Sequence, residues 1–227
     1  MRCVHVVTDG SVALPEDVIS SFGITIVPQL IAIDDRSDGF QPRSRTEVFG
    51  ALRTAPEAVT VRSSSAPAYV AAYEQVLGPG VEIVSIHPPL ALSDALAEAR
   101  QAHVQLPNRP ITVHESPWTS TALGMICVRV ADAGLEGASR DELTALADEI
   151  GQRMTMVMAA RLAGDVPGDA DSDAHRVVEL RGGRANEVAR ADSVTDALRE
   201  VIHRVNDSAP SDGTAHIGLV NLSLIHI

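Results

Sequence analysis

Short apolar runs rich in β-branched residues alternate with amphipathic stretches from the first residues of this chain to about residue 150, and that alternation leaves few folds open. Cys3-Val4-His5-Val6-Val7 reads as a buried strand. Thr8-Asp9-Gly10-Ser11 follows at once, and Leu14-Pro15-Glu16-Asp17 starts an amphipathic helix that Phe22-Gly23 stops. Ile24-Thr25-Ile26-Val27-Pro28 is a second strand. Further strands are expected at Val81–His87 and Ile111–His114, with helices from Thr46 through Leu52, through Tyr69–Tyr73, from Ser93 through Ala102, over 122–133 and over 140–152. Strands and helices in alternation mean a parallel sheet covered on both faces. The expected fold class is therefore α/β, doubly wound. In such folds ligands collect at the carboxyl ends of the strands, where Asp9, Ser11 and the other polar loops lie.

Residues 156–227 follow a different pattern and are expected to form a smaller, incomplete mixed domain. Met154–Met158 reads as a strand and Gly164–Ala174, rich in Asp, Gly and Pro, as a loop. Val177–Leu180, Gly182-Gly183 and Ala185–Ala189 carry a hairpin signal. Val194–Val205 is amphipathic and Ala215–Val220 is one more strand. The last residues, within Leu222–Ile227, resemble a translated sequencing adaptor as much as an apolar terminal strand.

Composition excludes several functions. With 30 acidic against 18 basic residues the net charge is −12, and aromatic residues make up 3%. Such a chain repels phosphate backbones and lacks stacking platforms, so nucleic acid is not an expected partner. Every basic residue is an arginine, which removes a Schiff base, a P-loop lysine and a lysine general base. Cys3 and Cys127 are expected to be buried free thiols in a reducing compartment. With no signal peptide and no apolar run of membrane-spanning length, the expectation is a cytoplasmic protein with no stable membrane insertion.

No hydrolase elbow, dinucleotide fingerprint, zinc motif or Cys-x-x-Cys pair is present, and the eight histidines show no metal-ligand spacing. Three Ser/Thr/Asp clusters stand out instead: Asp9 with Ser11, Thr60 with Ser63-Ser64-Ser65, and Ser85 with Ser93. Each precedes a helix, where hydroxyls beside free N–H groups can cradle a small anion such as a carboxylate. Ser65 and Ser93 also read as ordinary N-caps, and a cap hydroxyl can be shared with a ligand.

The order Thr8-Asp9-Gly10-Ser11, Leu14-Pro15, Gly23-Ile24 and Val27-Pro28 resembles the DegV family of bacterial fatty-acid-binding proteins. Asp38-Gly39-Phe40-Gln41 is similar to the family's Asp-Gly-Val-Asp turn. Glu115-Ser116 with Ala122-Leu123-Gly124 is similar to its Asp-Ser loop and following helix. The resemblance covers residues 1–155 as an N-terminal α/β domain and 176–220 more loosely. It implies a long-chain fatty acid held between two domains, with its carboxylate on hydroxyls and presented to a partner fatty-acid kinase. The chain itself would need neither catalysis nor cofactor.

The family's Thr-Ser-Gln-Pro-Ser falls on Val61–Ser65, where Ser65 coincides and Thr60 lies one residue from the threonine position. Its Ser-Ser-Gly-Leu-Ser-Gly falls on Pro89–Asp94, keeping Leu92 and Ser93. The residues so implied for the carboxylate are Thr60, Arg62, Ser63, Ser65 and Ser93. Arg62 offers a charge-assisted bond, and Asp9, Ser11, Ser85 and Ser116 supply the supporting loops. Two alternatives stand beside this reading: a serine hydrolase or transferase using Ser93 or Ser65 with His87, and a diverged or truncated module that has lost lipid binding.

Overall fold

Valines at positions 4, 6 and 7 put branched side chains on both faces of the first strand, which suits only a strand covered on both sides. That strand, β1 (Cys3–Asp9), lies inside a parallel sheet with β2 (Thr25–Val27) on one side and β5 (Val81–His87) on the other. Strand β6 (Ile111–Glu115) extends the sheet beyond β5, giving the order β2-β1-β5-β6. The chain therefore winds outward from β1 to β2 and returns across β1 to β5 and β6. Strand order reverses between β1 and β5, so their carboxyl ends flank the switch-point crevice. The structure, a computed structural model, describes residues 3–33, 43–55, 58–160, 175–181 and 184–209.

The two faces of the sheet bury separate cores. On one, Val4, Val6, Val84 and Ile86 pack with Leu123, Ile126 and Val130 of α5 (Ser120–Leu135) and Leu143 of α6 (Arg140–Arg153). On the other, Val7 and Ile83 pack with Tyr69 and Tyr73 of α3 (Ala66–Val76) and Ala95, Ala99 and Ala102 of α4 (Ala95–Gln105). Helix α1 (Glu16–Phe22) ends at Gly23, whose φ of 59° takes the left-handed turn as the sequence indicated. A Cβ on Gly124 would come within 2.8 Å of Leu14, so glycine there admits the chain that enters α1.

Two local expectations change. Helix α2 (Arg45–Thr54) is capped by Ser44, one residue before the helix, in a reciprocal box with Glu47, rather than by Thr46. Val59–Arg62 is a strand, β4, paired antiparallel with β3 (Leu30–Ile33) in a ribbon outside the parallel sheet.

Beyond α6, β7 (Met156–Ala160), β8 (His175–Arg181) and β9 (Arg184–Ala191) form an antiparallel sheet in that order. Helix α7 (Val194–Ser208), capped by the Ser193 hydroxyl, packs on it. Leu180 and Met156 reach into the α5 core, so the small sheet is seated on the larger unit. The Trp118 indole N–H donates to Gly151 O at 2.8 Å and ties the end of α6 to the loop after β6. The expected turn at residues 37–40, the loop at 164–174, the Gly182-Gly183 turn, the strand at 215–220 and the ending at 222–227 lie outside the described residues. No helix among the described residues is long and apolar enough to cross a membrane.

Leu123 has no exposed surface and lies at the centre of the α5 face. Leu123→Ala should therefore lower the unfolding free energy by about 2–5 kcal/mol, read from the midpoint of urea unfolding at unchanged slope.

Candidate functional site

The last residues of β1 and β5 meet across the crevice. Asp9, 2% exposed, accepts from His87 Nδ1 at 3.0 Å on Oδ2, and from the Ser11 backbone N–H at 2.9 Å on Oδ1. His87 Nε2 lies 2.7 Å from Ser85 Oγ, which in turn accepts from the Tyr73 hydroxyl at 2.9 Å. Ser85 and His87 are two apart on one strand and so share a face; neither has exposed surface. A neutral imidazole satisfies every member, with Nδ1–H donating to Asp9 and Nε2 accepting from Ser85. Burial pushes the Asp9 carboxyl up, but the His87 and Ser11 bonds outweigh it and leave the group below its ordinary 3.8. Burial raises the Tyr73 phenol to about 12. Thr8 Oγ1 donates to Ile86 O and the Ser116 N–H to His87 O, each at 2.8 Å, which knits the three strand ends together.

Above this layer two loops bring hydroxyls together. Ser63, after β4, and Ser93, after β5, lie with Oγ atoms 3.1 Å apart although 30 residues separate them in sequence. Ser93 Oγ also accepts from the Ala95 N–H at 3.2 Å, at the start of α4, while Asp94 stands at the cap position with no side-chain bond. Ser64, which the sequence reading counted in its cluster but not among the ligand residues, is buried and donates to Pro28 O at 2.6 Å. It pins the loop to the end of β2. Ser65 precedes α3 without making a side-chain cap bond: Pro67 at the second position has no N–H, and the Ala68 N–H donates to the Ser65 carbonyl at 2.9 Å. Glu98 Oε2 accepts from the Ala66 N–H at 2.6 Å.

Of the residues chosen from sequence, Asp9, Ser85 and Ser116 lie at the strands' carboxyl ends, and Ser63 and Ser93 touch one another. Ser11 follows Asp9 with its hydroxyl buried. Thr60 and Arg62 fall on one face of the β3–β4 ribbon, both exposed, and Ser65 is exposed at the start of α3. Thr60 thus follows no strand of the parallel sheet, contrary to the expected placement. Tyr73 and Tyr69 are the residues missed, and His87 was named only as a partner for Ser65 or Ser93, not for Asp9 and Ser85. The Ser85-x-His87 alternation at the end of a strand was the available signal.

Ser85, His87 and Asp9 have the connectivity of a nucleophilic triad, yet Ser85 is sealed from solvent and already accepts from Tyr73. Both His87 ring nitrogens are engaged, by Asp9 and Ser85, so neither serves Ser65 or Ser93. Among the described residues no group of three or more His, Cys, Asp or Glu is arranged to hold a metal ion. Both cysteines are free: Cys3 is exposed, against expectation, and Cys127 is buried, its thiol pushed up to about 12 by burial. A cleft of about 450 Å³, lined by Pro117, Trp118, Asp148, Gly151, Met154 and Thr155 among others, opens where the α/β unit meets the small sheet. None of the hydroxyls chosen from sequence lines it.

An open parallel sheet with a switch-point crevice at β1/β5 and an appended antiparallel sheet defines a two-part α/β fold. The DegV family model, described as an uncharacterised protein family, matches residues 3–162. This chain belongs to the DegV family. A DegV domain-containing protein of Streptococcus pyogenes is 29% identical over 153 residues, 66% of this chain and 54% of its own length. The chain thus spans about half the length of that curated relative. One from Deinococcus radiodurans is 23% identical over 231 residues, 96% of this chain and 81% of its own. A fatty-acid-binding DegV family protein from Thermus thermophilus shares the fold with a TM-score of 0.78 at 22% identity, over 92% of this chain and 79% of its own. DegV of Bacillus subtilis, described as a fatty acid binding protein, gives 0.76 at 16%, over 91% and 78%.

The folded Asp9 carboxyl titrates below its ordinary 3.8, so its stabilising contribution is complete above that value and is lost as pH falls through the lower folded one. Asp9→Asn should cost about 1–3 kcal/mol at pH 7. It should also show a smaller further loss than the parent on acidification below 3.8, compared by urea unfolding at pH 7 and near pH 3.

Proposed function

We propose that this chain binds a long-chain fatty acid with its carboxylate at the Ser63–Ser93 hydroxyl pair. The observation that carries the reading is the 3.1 Å approach of those two hydroxyls at the N-terminus of α4, beside the switch point. Free N–H groups of the first turn and two hydroxyls together suit an anion of carboxylate size. Thr60 and Arg62, exposed on β4, and Ser65, exposed at the start of α3, form the rim, with Arg62 offering charge to the head group. Asp9, Ser11, Ser85 and Ser116 hold the strand ends beneath. Each methylene of the tail buried against protein adds about 0.8 kcal/mol, so the tail supplies affinity and the hydroxyls supply orientation.

The fatty-acid binding described for the Thermus thermophilus and Bacillus subtilis proteins supports this reading. We further propose that the chain acts without catalysis or cofactor, as a cytoplasmic carrier that presents the carboxylate to a partner kinase. The two free thiols agree with a reducing compartment.

Native mass spectrometry of protein purified from cells should show a co-purifying fatty acid. Ser93→Ala should weaken its binding by about 1–3 kcal/mol while shifting stability by no more than about 1 kcal/mol. Equal affinities for parent and variant would remove Ser93 from the site.

A further inference from the structure

Tyr69 has no exposed surface, and its hydroxyl has no hydrogen-bond partner among the described residues. A buried donor left unmade is costly, and native structures keep few of them. The position of the ring says where the hydroxyl is aimed. Long side chains on a helix lean back over the preceding turn, here the first turn of α3, which follows directly on Ser63–Ser65. The ring stands edge-on to His87, the last residue of β5, with centroids 5.3 Å apart. It packs in one cluster with Ala95, whose N–H is bonded to Ser93 Oγ. The phenol thus lies under the loops that carry the hydroxyl pair.

Resting on the fatty-acid reading above, we propose that the Tyr69 hydroxyl is a further donor to the ligand's carboxylate and a determinant of head-group specificity. Without ligand, Ser63 and Ser93 bond each other and the Tyr69 hydroxyl has no partner among the described residues. A carboxylate entering between the two serines gives all three a partner. Burial raises the Tyr69 phenol, and the charges of Asp9 and Glu98 raise it further, so it stays a donor. Those two acids are themselves engaged, Asp9 by His87 and Ser11 and Glu98 by the Ala66 N–H. They leave the head-group position to the ligand.

The test uses the delipidated full chain, its Tyr69→Phe and Ser93→Ala variants, and two probes: palmitic acid and the primary alcohol of the same length. Tyr69→Phe should weaken palmitate binding by about ten- to a hundredfold, the effect of one bond to a charged group. The alcohol should lose less. Because the hydroxyl bonds nothing among the described residues, urea unfolding without ligand should be unchanged or shifted to higher denaturant. Unchanged palmitate affinity, equal losses for acid and alcohol, or a less stable ligand-free variant would each overturn the proposal. The last would mean that buried water holds the hydroxyl. If the parent binds both probes and Ser93→Ala weakens palmitate while Tyr69→Phe does not, only this proposal fails. If the parent binds neither probe, the fatty-acid reading fails with it.

Discussion

Asp9 and His87 end neighbouring parallel strands, and the bond between them decides what the crevice above can be. A carboxylate that is 2% exposed needs partners on both oxygens, and it has them: the imidazole on one and the Ser11 N–H on the other. With Nδ1 committed to Asp9, Nε2 must turn inward to Ser85, and Ser85 in turn takes the Tyr73 hydroxyl. This chain of bonds crosses from β1 through β5 to α3 and so sets how α3 lies on the sheet. The Ser63–Ser65 loop enters α3 and therefore inherits its position. The hydroxyl pair is thus a downstream consequence of how a buried carboxylate finds its hydrogen-bond donors at the strand ends.

Much of the larger unit was legible in the sequence because its strands are buried on both faces and its helices on one. Those two periodicities survive in the order of the residues. Gly23 as a helix stop was legible for a local reason, since a turn constrains its own residues, and the β8–β9 pair was legible in its two short runs. The β3–β4 ribbon was not, because Val59–Arg62 has one apolar residue at each alternate position and three exposed residues, a pattern shared with loops. Ser44 outcompeted Thr46 as a cap because Glu47 stands three residues on from it, a spacing that was there to be read.

The site was less legible than the fold, and its parts show why. Asp9 and His87 are 78 residues apart, and Ser63 and Ser93 are 30 apart. No periodicity reports a pairing of that range. The serines are conspicuous in the sequence because they are polar residues after strands, and His87 suggested itself as a partner for Ser65 or Ser93 rather than for Asp9. Tyr69 and Tyr73 read as apolar spacing on a helix, which is true of their rings and silent about their hydroxyls.

The chain has a single tryptophan, and its position gives that residue a second use. Trp118 is 3% exposed, with its indole nitrogen held by Gly151 O at the end of α6, three residues before the chain turns towards β7. The same ring lines the cleft at the end of α6, where the chain leads into β7. Leu180 and Met156 of the small sheet share one core cluster with that ring, so lifting the sheet would wet it. The molecule therefore carries its own optical gauge at this junction, one whose colour and brightness read the seating of the two parts without a label.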